Sequence, residues 1–130
     1  HEPSQALRGW LSAVVGVSDQ LEVGITVSDF ASPGNPLVFV NTRFCELTGY
    51  DSAECLGRNC RFLQGPESEQ RAVAKMICAM RAGEECVVRL SNYRKDGTKF
   101  ELLLALCPIR CGGKLVYYVG LHVVLSESIG

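Results

Sequence analysis

The chain reads as an α+β domain: a five-stranded antiparallel sheet with short helices packed on one face and a flanking helix at the N-terminus. Three observations predict this. Two short apolar stretches with strand character come first, followed by a group of short helical patterns. Three longer stretches of alternating side chains then follow, joined by tight-turn residues, so that they return antiparallel. The helical patterns are grouped between the strands instead of alternating with them, which separates α+β from α/β domains. The 130 residues are 47% hydrophobic and 21% charged, enough for one core in an ordinary globular domain.

Each element has its own signal. In 6–17, Leu7, Trp10, Leu11, Val14 and Val15 recur at helical spacing, which predicts an amphipathic helix. Residues 23–29 read as a strand, the cluster Ser32-Pro33-Gly34-Asn35-Pro36 as a turn and 37–40 as a second strand. Asn41 is placed to cap a helix through Leu47 that Gly49 closes. Asp51 and Glu54 have capping-box spacing and predict one helical turn. Residues 57–64 predict another short helix, broken by Gly65-Pro66. The longest helical pattern is 67–82, with Ala72, Val73, Met76, Ile77 and Met80 apolar and Gly83 as terminator. Strands are expected over 86–94, 98–110 and 114–125, turning at Asp96-Gly97 and Gly112-Gly113. The resulting organisation is a flanking helix (1–20), a core domain (21–126) and the start of a C-terminal linker (127–130).

Strand alternation sorts the side chains. Val88, Leu90 and Asn92 share one face; Phe100, Leu102, Leu104 and Leu106 share another; Val116, Tyr118, Gly120 and His122 share a third. Asn92 and His122 are therefore polar groups in register with core residues. A buried amide needs partners, so Asn92 either bonds the turn beside it or points into a ligand pocket. His122 is either a satisfied core histidine or a pocket group. The opposite face, with Leu103, Leu115, Tyr117, Val119 and Leu121, is an apolar strip expected to be covered by the Trp10 helix, an effector or a second copy of the chain.

Charge and cysteines exclude several functions. A net charge of −1 lacks the clustered basic surplus that nucleic acid or an anionic membrane requires. No apolar run reaches the roughly 20 residues of a membrane span. Seven cysteines, an odd number with no C-x-x-C pair, argue against a disulfide framework and a structural zinc site, and so for a reducing, intracellular and cytoplasmic setting. The chain opens at His1 with no signal-peptide pattern and is read as an excised part of something longer.

The most informative stretch is Asn59-Cys60-Arg61-Phe62-Leu63-Gln64, preceded by Gly57-Arg58 and followed by Gly65-Pro66-Glu67. It resembles the signature of the LOV family, the blue-light-sensing flavoprotein branch of the PAS domains. The stretches 41–50 and 92–98 resemble that family as well, in the same order and spacing, and the likeness extends from about Val23 to Val124. The resemblance implies a PAS-like fold that binds FMN, is not an enzyme, and signals through its sheet to an effector or partner. It implies that Cys60 bonds reversibly to flavin carbon C4a after blue light while N5 becomes protonated.

Other roles carry over residue by residue as implications of the same resemblance. Asn59 and Gln64 match residues that bond the ribityl chain, and Arg61 one that pairs with the terminal phosphate. Asn92 matches an amide gripping the pyrimidine end of the ring. Ser28 and Asn35 match polar positions near the ring and mouth. Val27, Leu47, Leu63, Met80, Leu90, Leu104 and Leu106 match the apolar walls.

Three positions depart from the family pattern. A second phosphate arginine is replaced by Ile77, with Arg71, Lys75 and Arg81 as nearby candidates to stand in for it. A second ring-gripping Asn is replaced by Leu102. The Gln that faces flavin N5 and O4 is replaced by His122, with Gly120 leaving room beside it. These changes predict weaker FMN binding with riboflavin more competitive; FAD is disfavoured because the insertion that accompanies it in some fungal relatives is missing. A histidine near its ordinary pKa of roughly 6.5 predicts pH-dependent dark recovery over about 5.5–7.5. Two alternatives stand beside this reading: a flavin-poor PAS module for protein interaction or dimerisation, and a redox sensor, which lacks a resolving-cysteine pattern.

Overall fold

The computed structural model describes residues 22–127, and side chains only through Leu125. The expected flanking helix and linker, apart from Glu127, lie outside the described residues. Strands β1 (Gly24–Asp29) and β2 (Leu37–Val40) are followed by helices α1 (Thr42–Thr48) and α2 (Ser52–Cys55) and a 3₁₀ turn (Cys60–Leu63). Helix α3 (Gln70–Ala82) and strands β3 (Cys86–Tyr93), β4 (Lys99–Cys111) and β5 (Lys114–Glu127) complete the chain. The strands form one antiparallel sheet in the order β2-β1-β5-β4-β3. β5 is central, and its long hairpin with β4 turns at Gly112 (φ 59°) and Gly113 (φ 79°). Two successive positive-φ residues suit the right-handed twist of a two-residue hairpin.

The helix starts follow the expected chemistry. Asn41 Oδ1 accepts the N–H groups of Phe44 (2.9 Å) and Ile25 (2.8 Å), and its Nδ2 donates to Val23 O (2.9 Å). One buried amide thus caps α1 and ties it to β1. Asp51 and Glu54 form the reciprocal capping box. Two expectations are corrected. Helix is formed in only 60–63 of the expected 57–64. Helix α3 starts at Gln70 and not near 67, because the preceding residues serve the sheet edge. Ser68 Oγ donates to Ser91 O (2.7 Å), while the Glu69 carboxylate accepts the Ser91 N–H (2.7 Å) and hydroxyl (2.9 Å). These contacts satisfy backbone groups that an edge strand otherwise leaves to solvent.

The helices cover the inner face of the sheet. One core cluster joins Met76 of α3 to Val88, Leu90, Phe100, Leu102, Leu104, Leu106 and Tyr118 of the sheet. A second joins Leu37, Val40, Phe44, Cys55 and Leu63 beneath the short helices. On the outer face Ile25, Val27 and Val119 pack with Phe39, Ile109, Tyr117 and Leu121. Leu115, expected on that face, packs inward. The register explains this: Ile109 faces Tyr117 while Arg110 faces Leu115, so Val116 is an extra residue that resets the alternation. Leu103, Val123 and Leu125 remain exposed on β4 and β5.

Candidate functional site

Between α3, the 59–64 segment and the inner face of β1, β3, β4 and β5 lies a cavity of about 590 Å³. Such a volume takes a small-molecule ligand. Its walls bring together Ser28, Asn35, Asn59, Cys60, Arg61, Gln64, Met80, Leu90, Asn92, Leu104, Leu106, Gly120 and His122. These come from separate stretches of sequence, and the fold gathers them on one space.

The 59–64 segment shapes one wall. Asn59 caps the 3₁₀ turn by accepting the Arg61 N–H at its Oδ1 (3.0 Å), while its Nδ2 donates to Gly34 O (2.9 Å). Asn35, next to Gly34, adopts a left-handed φ of 49°, which Asn tolerates better than most residues. The mouth loop is thereby pinned to the Cys60 turn. Burial pushes the Cys60 thiol up to about 12, with Cys55 nearby adding to the shift. Cys60 therefore stays protonated at neutral pH and is no ready thiolate nucleophile.

The sheet shapes the opposite wall. His122 Nε2 lies 3.1 Å from Thr26 Oγ1, and Phe44 presents to the imidazole edge-on at a centroid distance of 5.0 Å. Burial lowers the His122 pKa to about 4, so the ring is neutral across the physiological range. This overturns the expectation of a charge switch near neutrality. Gly120 stands directly across from Thr26. A Cβ there would lie 2.6 Å from Thr26 Oγ1 and 3.1 Å from His122 Nε2, so glycine keeps this part of the wall open.

Asn92 carries the clearest sign of a ligand. It is 4% exposed, lines the cavity, and its Oδ1 accepts no hydrogen bond. A buried unsatisfied acceptor costs about 1–3 kcal/mol, so the alternative of an amide satisfied by the turn is not realised for this atom. FMN fits this set of groups. The apolar walls suit a planar ring, Asn92 and the neutral His122 suit its polar edges, Asn59 and Gln64 suit a hydroxylated chain, and Arg61 at the rim suits a phosphate.

Three expected wall residues, and Leu102 at the position of the second ring-gripping amide, lie elsewhere. Val27 points to the outer face with Ile25 and Val119; it and Ser28 are adjacent in a strand and cannot both face the cavity. Leu63 packs in the cluster beneath the short helices. Leu47 lies beside Gly24, and its carbonyl accepts from Arg94 Nε (2.9 Å). Leu102 is fully buried in the inner core outside the cavity lining. Sequence reasoning missed Thr26, Phe30, Val73, Met76, Leu115 and Tyr118. Alternation from Ser28 would have found Thr26, and the helical stripe through Met80 would have found Met76 and Val73.

Comparison with known proteins agrees with this geometry. The PAS domain family model matches residues 22–125. The chain is 42% identical to phototropin-2 of Oryza sativa subsp. japonica over 112 residues, covering 85% of this chain and 12% of that protein. It is 39% identical to a blue-light-activated histidine kinase of Rhizobium johnstonii over 110 residues, covering 84% of this chain and 32% of that one. The chain thus spans at most about a third of these two relatives. A solved structure reported under the words "Flavin Analogue Sheds Light on Light-Oxygen-Voltage Domain Mechanism" superposes with a TM-score of 0.83 at 41% identity, covering 88% of this chain and 85% of that one. With the fold, the motif and these relatives in agreement, the chain belongs to the light-oxygen-voltage (LOV) branch of the PAS domain family.

Proposed function

We propose that this chain is the sensor domain of a blue-light photoreceptor, that FMN occupies the cavity, and that Cys60 is the photoreactive thiol. One observation carries the reading: the Cys60 thiol shares a cavity with Asn92, a buried amide whose Oδ1 lacks a partner. When bound, the flavin supplies blue absorption and an excited ring to which a thiol adds at C4a. Cys60 provides the sulfur for that bond and the proton that N5 takes up. Its raised pKa keeps that proton in place in the dark. Asn92 holds the ring edge, while the leucines of β3 and β4 exclude water from it. His122 meets the cavity as a neutral imidazole whose Nε2 is shared with Thr26 Oγ1.

The outer sheet face is the surface we assign to an effector or a second copy of the chain, since Leu103, Val123 and Leu125 leave apolar area exposed there. A flavin-poor interaction module is the second reading. Leu102 favours it, because a fully buried leucine replaces an amide that would grip the ring.

An absorption spectrum before and after blue light decides between them. The flavin reading expects a structured flavin band near blue wavelengths that bleaches and recovers in the dark. Cys60→Ala is expected to keep the band and lose the bleaching. A colourless protein that takes up no added FMN would exclude this reading, and normal cycling by Cys60→Ala would exclude the role of Cys60.

A further inference from the structure

Two arginines, Arg61 and Arg81, line the cavity, and no carboxylate does. Both are exposed at its rim, and among the described residues neither side chain has a hydrogen-bond or ion-pair partner. Behind them the lining holds no lysine, further arginine or carboxylate: its buried polar side chains are Thr26, Asn92, Tyr118 and His122, with Ser28 and Gln64 half-buried. The entrance is thus a cationic lip on a largely uncharged pocket. It fits a ligand with a flat apolar body and an anionic end that stays near solvent.

Helix geometry distinguishes Arg81 from the other cations of α3. Val73, Met76, Ile77, Met80 and Arg81 all line the cavity, and their spacing makes one continuous helical stripe. Arg81 lies one turn beyond Ile77 on that stripe, about 6 Å further along the axis. Arg71 and Lys75 lie on the opposite side of the helix, outside the lining, and Lys75 Nζ is engaged by Val87 O at 3.1 Å. Of the three candidates, only Arg81 faces the entrance.

We propose that Arg81 is the second anion-binding arm of the cavity, closing with Arg61 on the terminal phosphate of its ligand and thereby selecting a phosphorylated flavin over the unphosphorylated one. The proposal rests on the flavin reading above and refines it. A planar guanidinium on each side of a phosphate monoester matches the oxygens with charge-assisted bonds. Ile77 then needs no compensation from its own position, because the charge is delivered from one turn away. FMN is expected to be preferred over riboflavin in spite of Ile77, contrary to the weakened discrimination predicted from the sequence.

The test is titration of apoprotein with FMN and with riboflavin, read by quenching of flavin fluorescence, for the wild type, Arg81→Gln and Arg71→Gln. Wild type is expected to favour FMN by about tenfold or more, the difference that one strong charge-assisted contact makes. Arg81→Gln should lose roughly 5–10-fold of FMN affinity, leave riboflavin within about twofold, and so narrow the ratio. Arg71→Gln should preserve the ratio. The FMN preference should shrink in high salt and below a pH of about 6, where the phosphate loses its second charge. Equal binding of both flavins by wild type would overturn the role of Arg81 while leaving the flavin reading intact. A parallel loss for both flavins in Arg81→Gln would reduce Arg81 to a packing residue. Binding of neither flavin would remove both readings.

Discussion

Thr26 Oγ1 and His122 Nε2 face each other at 3.1 Å across the β1–β5 pairing, both buried at the inner wall of the cavity. The hydroxyl can donate or accept, so it fits whichever tautomer the imidazole holds and fixes the ring's orientation. The histidine is thereby anchored at one nitrogen and not left to swing in the pocket.

The first prediction concerns pH. His122 titrates at about 4 in the fold because of burial alone, against roughly 6.5 when unfolded. Between those values the unfolded chain binds the extra proton, so stability rises with pH there. The contribution is complete above about 6.5 and is lost as pH falls toward 4. Its full size is on the order of 3 kcal/mol. Urea unfolding at pH 7.5 and pH 5 is expected to show a larger loss for wild type than for His122→Gln. Dark recovery is expected to show no His122 titration near neutrality. Equal pH slopes in the two proteins would refute the buried, neutral state.

The second prediction concerns thiol reactivity. Cys60 is held as a thiol by its surroundings, whereas Cys78 is exposed on α3. Alkylation requires the thiolate. Timed iodoacetamide labelling at pH 8, read by peptide mass spectrometry, is expected to modify Cys78 at least about tenfold faster than Cys60. Comparable rates would show that the pocket does not suppress ionisation of Cys60.

The third prediction separates stability from function at Asn92. Its orphan Oδ1 destabilises the apoprotein, and Leu is close to it in shape. Replacing an unsatisfied polar group with an apolar one of similar size is neutral or favourable. Asn92→Leu is expected to leave the apoprotein as stable as wild type, or about 1 kcal/mol more stable, while lowering FMN affinity by roughly tenfold. Thermal unfolding without flavin and fluorescence titration measure the two effects. A clear loss of apoprotein stability would mean that Asn92 serves the fold.

The succession of strands and helices along the chain and the helix caps were legible because they rest on short-range chemistry, whereas the pairing of β1 with β5 joins distant stretches and was not. Asn41, Asp51 and the Gly112-Gly113 turn declare themselves within a few residues. The 59–64 motif was legible because its four cavity-lining residues, Asn59, Cys60, Arg61 and Gln64, fall within six consecutive positions. Leu115 was misplaced because the Val116 bulge depends on cross-strand register, which alternation along one strand does not contain. Leu102 shares the inner face with Leu104 and Leu106, yet only the packing of α3 decides which of them meets the cavity. The neutral state of His122 depends on complete burial beneath Phe44, a contact between residues 78 positions apart in the chain.

The last prediction tests whether the opening beside His122 matters. Gly120 is paired with Thr26 across the sheet, so neither backbone can move without disturbing the β1–β5 ladder. A methyl group at 120 would meet Thr26 Oγ1 at 2.6 Å, His122 Nε2 at 3.1 Å and Leu104 Cδ1 at 3.5 Å. Thr26 is β-branched and has little rotamer freedom to yield. The strain falls on the Thr26–His122 contact and into the cavity. Gly120→Ala is expected to cost about 1–3 kcal/mol of stability, as overpacking does, and to reduce flavin uptake sharply. Removing the obstructing hydroxyl with Thr26→Ala should recover part of the stability, so the double variant loses less than the sum of the single losses. It should not recover flavin uptake, because the added methyl group still occupies the wall. Thermal unfolding and flavin content after saturation read the two effects separately. Undiminished flavin uptake by Gly120→Ala would show that the ligand does not approach the sheet at this point.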